Sequence, residues 1–452
     1  MKSGNKSEKA RRFEVRIEGL TARAEGWGWS GQHQVRIPGA LPGERVIAEY
    51  HPGRPPADRV RLLEVLEPSP QRVEPPCPYF RTCGGCQLQH LGYNDQLSFK
   101  SAILKELAAG IDAFPAPEPV YPAPQSENYR CKTQMPFGES KTGAVLGLFR
   151  QGTHQLQPID YCRVESPEAN TALNAVRQWA RHQGLPVYDE QTRRGLLRHL
   201  LVRKTAGGVM VVVVATSPAL PAADLLTETL RAALPTLKSL YLHYNDGAGN
   251  AVLGGEDKLL WGAPFIEEDL AGLRFRIFPG TFFQVNPGQM TRILDILDPL
   301  LDLRESDLLV DLYCGVGAIA LRLASRVREV IGVEFNPDAV SGARENARLN
   351  GIQNAAFEVG DAGTVFTGLL SGGKNPDVVV LDPPRKGLEA GVLQALLSAM
   401  PRQIAYLSCN PQTLLRDLQQ LCAGGFRISR VLPFDMFPQT YHLETLAILE
   451  KS

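Results

Sequence analysis

Between residues 307 and 408 the chain carries four short runs of Val, Ile and Leu: DLLVDLY, EVIGVEF, DVVVLD and QIAYLS. Segments with apolar residues at helical spacing separate them. Strands that are apolar throughout, rather than on alternate residues, must be covered on both faces, which means a parallel sheet between two layers of helix. A chain with this alternation is largely committed to a Rossmann-like α/β domain that binds ligands beyond the carboxyl ends of its strands. The runs FRISRVLPF and LETLAILE are expected to complete that sheet.

At 452 residues the chain is too long for one core, so further domains must precede this one. From Phe13 to Leu66 the short runs FEVRI, HQVRI, RVIAEY and RVRLLEVL, punctuated by PGALPGERV, predict a small OB-like β-barrel over residues 10–69. Prolines at 68, 70, 75, 76 and 78 lead into a cysteine-bearing segment and a helix over 94–109, which can pack on the α/β domain. A strand-rich stretch with GAVLGLF and GGVMVVVVA follows, giving a central α+β domain over 70–275 and the α/β domain over 276–452. The expected fold is therefore multidomain α/β.

Apolar residues make up 44% and charged residues 21%, which excludes a disordered or collagen-like chain. No apolar run approaches the ~20 residues of a membrane span. The basic N-terminus lacks the apolar core of a secretory signal, so a cytoplasmic monomer is expected. Net charge is zero, with 48 basic against 48 acidic residues. Residues 1–72 nevertheless hold 13 Lys and Arg against 9 Asp and Glu, so a polyanion would be met there first.

The run VDLYCGVGAIA places a glycine loop after a strand and before a helix. Gly315 and Gly317 let the backbone turn tightly against a ligand, and Glu334 ends the next strand, placed for ribose hydroxyls. Gly315-x-Gly317-x-x-Ala320 also fits a dinucleotide fingerprint. Two features favour S-adenosylmethionine instead. Asp311 directly before the loop suits a cationic amino-acid moiety, and Asp382-Pro383-Pro384 caps a later strand as in methyltransferase pockets. Asp361 is placed either for the adenine amino group or as a solvated turn carboxylate.

Ser408-Cys409-Asn410-Pro411 follows QIAYL, which puts Cys409 on the same sheet edge as Asp382. Carbon 5 of uracil is too weak a nucleophile to take a methyl group unaided. A thiolate adding to carbon 6 activates it, and a base must then remove the carbon 5 proton. Glu444 in YHLETLAIL offers that base. An amino-methyltransferase acting on nucleic acid would share the Asp-Pro-Pro loop without needing the cysteine, and a non-catalytic RNA-binding protein would need neither residue.

DLYCGVG, DPPRKG, SCNP, HLETLAIL and FFQVN (Phe282–Asn286) occur in the order and spacing of the RNA (uracil-5-)-methyltransferase family, which the chain resembles over nearly its whole length. The resemblance implies that Cys409 is the nucleophile and Glu444 the base. It implies that Gln284, Tyr313, Glu334 and Asp382 contact the methyl donor, with Asp382 also near the target base. The N-terminal barrel resembles a TRAM domain, of which PGALPGERV is typical.

Cys77, Cys83 and Cys86 form C-x5-C-x2-C, and Cys162 lies far downstream. Such crowding of thiols points to structural zinc or an iron–sulfur cluster. Zinc ribbons supply two C-x2-C pairs, whereas a cluster tolerates irregular spacing and a distant fourth thiolate. The family resemblance supports a 4Fe-4S cluster. Cys131 and Cys422 read as packing residues, and Cys314 as a residue set by the loop backbone.

A base inside a helix is shielded, so the target must lie in a loop or be flipped out. Trp27, Trp29, Arg130, Lys132, Arg198 and His199 are candidate RNA contacts. The combination of cluster and TRAM domain suggests 23S ribosomal RNA as the partner, with a transfer-RNA loop uridine as the alternative.

Overall fold

The computed structural model describes residues 10–51, 60–111, 114–249 and 251–452. Five strands come first: β1 (Arg11–Leu20), β2 (Glu25–Ser30), β3 (His33–Pro38), β4 (Arg45–Tyr50) and β5 (Val60–Glu67). They form one antiparallel sheet in the order β3-β2-β1-β4-β5, and its two edge strands approach each other. Val15, Ile17, Ile37, Val46 and Ala48 fill its core. Gly39 and Gly43 take φ of +83° and +85° in the turn between β3 and β4, a conformation that costs glycine little. The buried Glu44 accepts the Leu41 N–H at 2.8 Å and pairs with Arg72, tying the sheet to the segment that follows.

Helix α1 (Tyr93–Ala108) starts one residue before the expected helix and ends one before it. It buries Leu104 and Ala108 against the C-terminal sheet. Next come β6 (Lys132–Ser140), β7 (Gly143–Phe149), β8 (Leu156–Pro158), α2 (Pro167–His182), β9 (Leu197–Thr205), β10 (Gly208–Ala215), α3 (Ala223–Ala233), β11 (Leu237–Tyr244) and β12 (Glu256–Gly262). These strands build a seven-stranded sheet, β12-β11-β10-β9-β6-β7-β8, antiparallel except between β10 and β11. All eight residues of β10 are buried because both its faces are covered. Val209, Val211 and Val213 pack towards α2 and α3, while Met210 and Val212 pack towards the C-terminal part.

A hairpin of β13 (Ile266–Leu270) and β14 (Leu273–Ile277) turns through Ala271 and Gly272, both at positive φ as a two-residue hairpin loop requires. β14 runs across residues 275 and 276, where the sequence pattern suggests a boundary, and its Phe275 and Ile277 share a core with the next helix.

The C-terminal part contains α4 (Pro287–Leu300), β15 (Leu308–Leu312), α5 (Ala318–Leu323), β16 (Glu329–Glu334), α6 (Pro337–Leu349), β17 (Ala355–Val359), α7 (Ala362–Ser371), β18 (Val378–Leu381), α8 (Ala390–Ala399), β19 (Gln403–Ser408), α9 (Pro411–Ala423), β20 (Phe426–Phe434) and β21 (Glu444–Lys451). Its sheet order is β17-β16-β15-β18-β19-β21-β20. The first five strands are parallel, and β21 enters antiparallel between β19 and β20. The strand order reverses between β15 and β18, which opens a crevice at their carboxyl ends. Among the described residues no helix is long and apolar enough to cross a membrane.

Candidate active site

A cleft of about 810 Å³ occupies that crevice, and Gln284, Asp311, Tyr313, Gly315, Glu334, Asp361, Asp382, Cys409 and Glu444 all line it. The sequence therefore distributes one candidate group to the end of almost every strand, and the parallel sheet gathers them at one edge.

Asp311 is buried near the end of β15. One carboxylate oxygen accepts the Ala320 N–H at 3.0 Å, and the other is buried without a partner. Burial, with Asp382 and Glu334 nearby, raises its carboxyl well above the ordinary range. Tyr313 has φ +65°, uncommon for a bulky residue, and its hydroxyl is also unpartnered. Gly317 caps α5 at φ +84°, and a Cβ there would lie 3.1 Å from the Phe357 ring. Glu334 accepts the Gly315 N–H at 3.2 Å and the Asn336 N–H at 2.9 Å, so the β16 carboxylate braces the glycine loop and keeps lone pairs for a ligand. Asp361 caps α7 by accepting the Thr364 N–H at 2.9 Å, a bond that lowers its pKa. One Asp361 oxygen thus caps the helix at the cleft wall.

Cys409 and Glu444 meet through the β19–β21 ladder. Ser408 pairs with Thr445, so the next residues along, Cys409 and Glu444, come side by side from positions far apart in sequence. Burial raises the Cys409 thiol and Glu444 adds to the shift, while Arg385 opposes it. Burial first, then Asp382, raises Glu444 well above the carboxylate range, again opposed by Arg385. Asp382 itself is pushed up to about 7 by burial and Glu334. Asn410 holds the Arg385 carbonyl through its side-chain N–H at 2.9 Å, which locks the Asp-Pro-Pro loop to the residue after Cys409.

Gln284 sits on the cleft wall in the segment before α4. The Cys131 thiol donates to the Gln284 carbonyl at 3.2 Å, and the buried Arg203 guanidinium donates to the carbonyls of Pro279, at 3.1 Å, and Thr281. The central sheet thus holds one wall of the cleft. Sequence reasoning missed Arg385, Phe282 and Phe335, all on the cleft; the two phenylalanines are 60% and 78% exposed at its rim. A large apolar side chain left in water beside a pocket was the available signal.

The unpartnered buried oxygen of Asp311, the Tyr313 hydroxyl and the exposed rings fit a ligand with a cationic end, polar hydroxyls and an aromatic base. S-adenosylmethionine has all three.

Cys77, Cys83 and Cys86 lie between β5 and α1, and Cys162 precedes α2; all four are free thiols. Burial pushes Cys86 up to about 12, with Cys83 and Cys77 close enough to add to the shift, and Cys86 does the same to Cys162. The four therefore share one neighbourhood. No three His, Cys, Asp or Glu side chains among the described residues are arranged to hold a metal ion, however. Asn170 fixes the Cys162 backbone, accepting its N–H at 2.7 Å and donating to its carbonyl at 3.0 Å.

Two of the candidate RNA contacts are committed inside the protein. Arg198 is buried and donates to carbonyls of Asn245 and Gly247 at 2.8 Å each, and Arg130 pairs with the buried Glu165 at 3.2 Å. Lys132 and His199 are also largely buried; burial lowers them to about 8 and about 4. Trp29 is exposed, and the Trp27 ring lies over Gly19.

The family profile described as tRNA (Uracil-5-)-methyltransferase matches residues 256–452. A protein of Halalkalibacterium halodurans named as an uncharacterized RNA methyltransferase is 38% identical over 97% of this chain and 96% of its own length. A similarly named protein of Listeria innocua is 37% identical over 99% of each chain. The crystal structure of Pyrococcus abyssi tRNA (uracil-54, C5)-methyltransferase in complex with S-adenosyl-L-homocysteine superposes with a TM-score of 0.77. It is 28% identical over 97% of this chain and all of the other.

Proposed function

Because the chain belongs to the RNA (uracil-5-)-methyltransferase family and is an S-adenosylmethionine-dependent RNA methyltransferase, we propose that it methylates its uridine through a covalent adduct with Cys409. The observation that carries this reading is the juxtaposition of Cys409 and Glu444, each one residue beyond the Ser408–Thr445 pair that ends the β19–β21 ladder, on the cleft that also holds Asp311 and Asp382.

When bound, the donor supplies an electrophilic methyl group on a cationic sulfur. Asp311 would hold its amino group, Glu334 its ribose hydroxyls and Asp361 its adenine amino group, and Phe335, Gln284 and Tyr313 would complete the walls around it. Arg385 favours the Cys409 thiolate electrostatically. That thiolate adds to carbon 6, and the electron pair displaced onto carbon 5 forms the new bond to the methyl carbon as the methyl–sulfur bond breaks, its electrons return to sulfur and S-adenosylhomocysteine leaves. Glu444 then accepts the carbon 5 proton, the double bond re-forms and the thiolate is expelled. Burial keeps Glu444 basic enough to take a carbon-bound proton.

The substrate in this reading is a uridine of 23S ribosomal RNA, supported by the TRAM-like N-terminal sheet and the cysteine group. The likeness to a transfer-RNA enzyme over its whole length favours a second reading, a tRNA loop uridine. Mass-spectrometric mapping of 5-methyluridine in both RNA classes after deletion of the gene tests them. Loss at one ribosomal site supports the first, loss in tRNA the second, and loss in neither defeats both.

We assign Cys77, Cys83, Cys86 and Cys162 to a 4Fe-4S cluster. A zinc ion would need four ligands converging within ~2.3 Å of one point. A cluster holds its thiolates at the corners of a larger body and tolerates the irregular spacing and distant fourth thiolate of C-x5-C-x2-C with Cys162.

A further inference from the structure

Cys409 and Arg385 line both the donor cleft and a second hollow of about 230 Å³. The walls of this hollow come from five separate parts of the chain: Arg23 in the β1–β2 turn, Phe99 on α1, Arg385 in the Asp-Pro-Pro loop, Cys409 itself, and Tyr441 with His442. The Tyr441 and His442 rings lie 4.4 Å apart, and His442 meets Phe437 edge-on at 5.9 Å. Phe437 lines the donor cleft, so an aromatic row connects the two spaces past the thiol.

Arg23 is presented on a fixed turn. The Ala24 N–H donates to the Thr21 carbonyl at 2.8 Å, the Thr21 N–H to Glu25 at 2.8 Å, and Ala24 is buried with Leu41, Leu88 and Leu91. The Arg23 side chain itself is exposed. It also lines a third cavity, walled by Arg61, Arg72, Arg81 and Arg150, that leads away along the N-terminal sheet. Arg72 is neutralised by Glu44, but the tract as a whole suits a polyanionic strand. Burial and the nearby Arg385, Lys100 and Arg130 lower His442 to about 4, so at neutral pH it offers an uncharged ring rather than a cation.

A stacking ring beside a fixed guanidinium is the chemistry that takes one nucleotide of a single strand, the base on the ring and the phosphate on the cation. We propose that this hollow seats the nucleotide next to the target uridine, its base stacked on Tyr441 and its phosphate held by Arg23. The N-terminal sheet is then part of the substrate site and not only a tether. This rests on the uridine-methylating reading above.

The test is transfer of tritiated methyl groups to total RNA from a strain lacking the protein, with rates measured against RNA concentration at several salt concentrations. S-adenosylhomocysteine affinity serves as the folding control. Arg23→Ala should raise the KM for RNA roughly three- to tenfold with kcat little changed, and reduce the salt dependence of kcat/KM by about one phosphate contact. Tyr441→Ala should raise KM roughly tenfold or more, and Tyr441→Phe should restore it to within about twofold. An unchanged KM in Arg23→Ala, with wild-type salt dependence, overturns the proposal even where Tyr441→Ala fails to fold. Absence of methyl transfer by the wild-type protein would instead sink the uridine-methylating reading.

Discussion

The Lys100 ammonium lies 2.5 Å from an Asp435 carboxylate oxygen, and neither side chain is exposed. The two residues join α1 to the loop between β20 and β21, and Lys100 also donates to the Phe437 carbonyl at 3.2 Å. Gln96, one helical turn earlier, donates to Gln439 in the same loop at 3.0 Å. That loop carries Phe437, Tyr441 and His442 and leads into Glu444, so α1 fixes the approach to the proposed base.

Removing one partner of a buried pair strands the other charge. Lys100→Met should cost about 3–5 kcal/mol, measured by denaturant unfolding, whereas replacing both Lys100 and Asp435 by apolar residues should recover much of the loss. A loss under about 1 kcal/mol for the single variant would show that the loop is held by other contacts.

Cys409→Ala should abolish methyl transfer and any RNA adduct that survives a denaturing gel. Glu444→Gln should still transfer the methyl group and then accumulate the adduct, because the thiolate cannot leave until carbon 5 loses its proton. Normal turnover in either variant would rule out the covalent route.

Burial and the nearby Glu334 push the Asp382 carboxyl up to about 7 from the ordinary carboxylate range. A raised carboxyl contributes stability that is complete below its unfolded value near 4 and is lost as pH rises through about 7. A cationic ligand favours the ionised form, so its binding releases the proton. Affinity for S-adenosylmethionine should therefore strengthen with pH, approaching about tenfold per unit below pH 7, and level off above it. S-adenosylhomocysteine, which lacks the sulfonium charge, should show a shallower slope. Equal slopes in calorimetric titrations would place Asp382 away from the sulfonium.

Gly315 and Gly317 should respond differently to alanine. A Cβ at Gly315 meets nothing within 4 Å, which leaves only backbone strain of roughly 1–2 kcal/mol. At Gly317 the same strain is joined by the Phe357 ring 3.1 Å away. Gly317→Ala should lower the melting temperature more than Gly315→Ala; the reverse order would contradict the packing around α5.

Anaerobically purified protein should carry iron and absorb in the charge-transfer region, and Cys86→Ser should lose both. Zinc at one ion per chain, found by elemental analysis, would replace the cluster assignment.

The α/β sheet was legible because its strands are buried on both faces and so read as unbroken apolar runs. The same property of β10 came from two unrelated cores pressing on one strand, which a local pattern cannot distinguish. Cys409, Asp382 and Glu444 were legible because strand ends carry the chemistry in this architecture. Arg198 and Arg130 misled because residue type reveals a charge but not its partner. The carbonyls that absorb Arg198 lie more than forty residues away, on a loop whose path only the folded chain defines. Phe275 likewise faces a core that spans the expected boundary at 275/276.

β21 leaves the ribosome after both strands that flank it. Until it inserts between them, the sheet edge that carries Cys409 lacks Glu444, so closing the sheet and seating the proposed base are one late event.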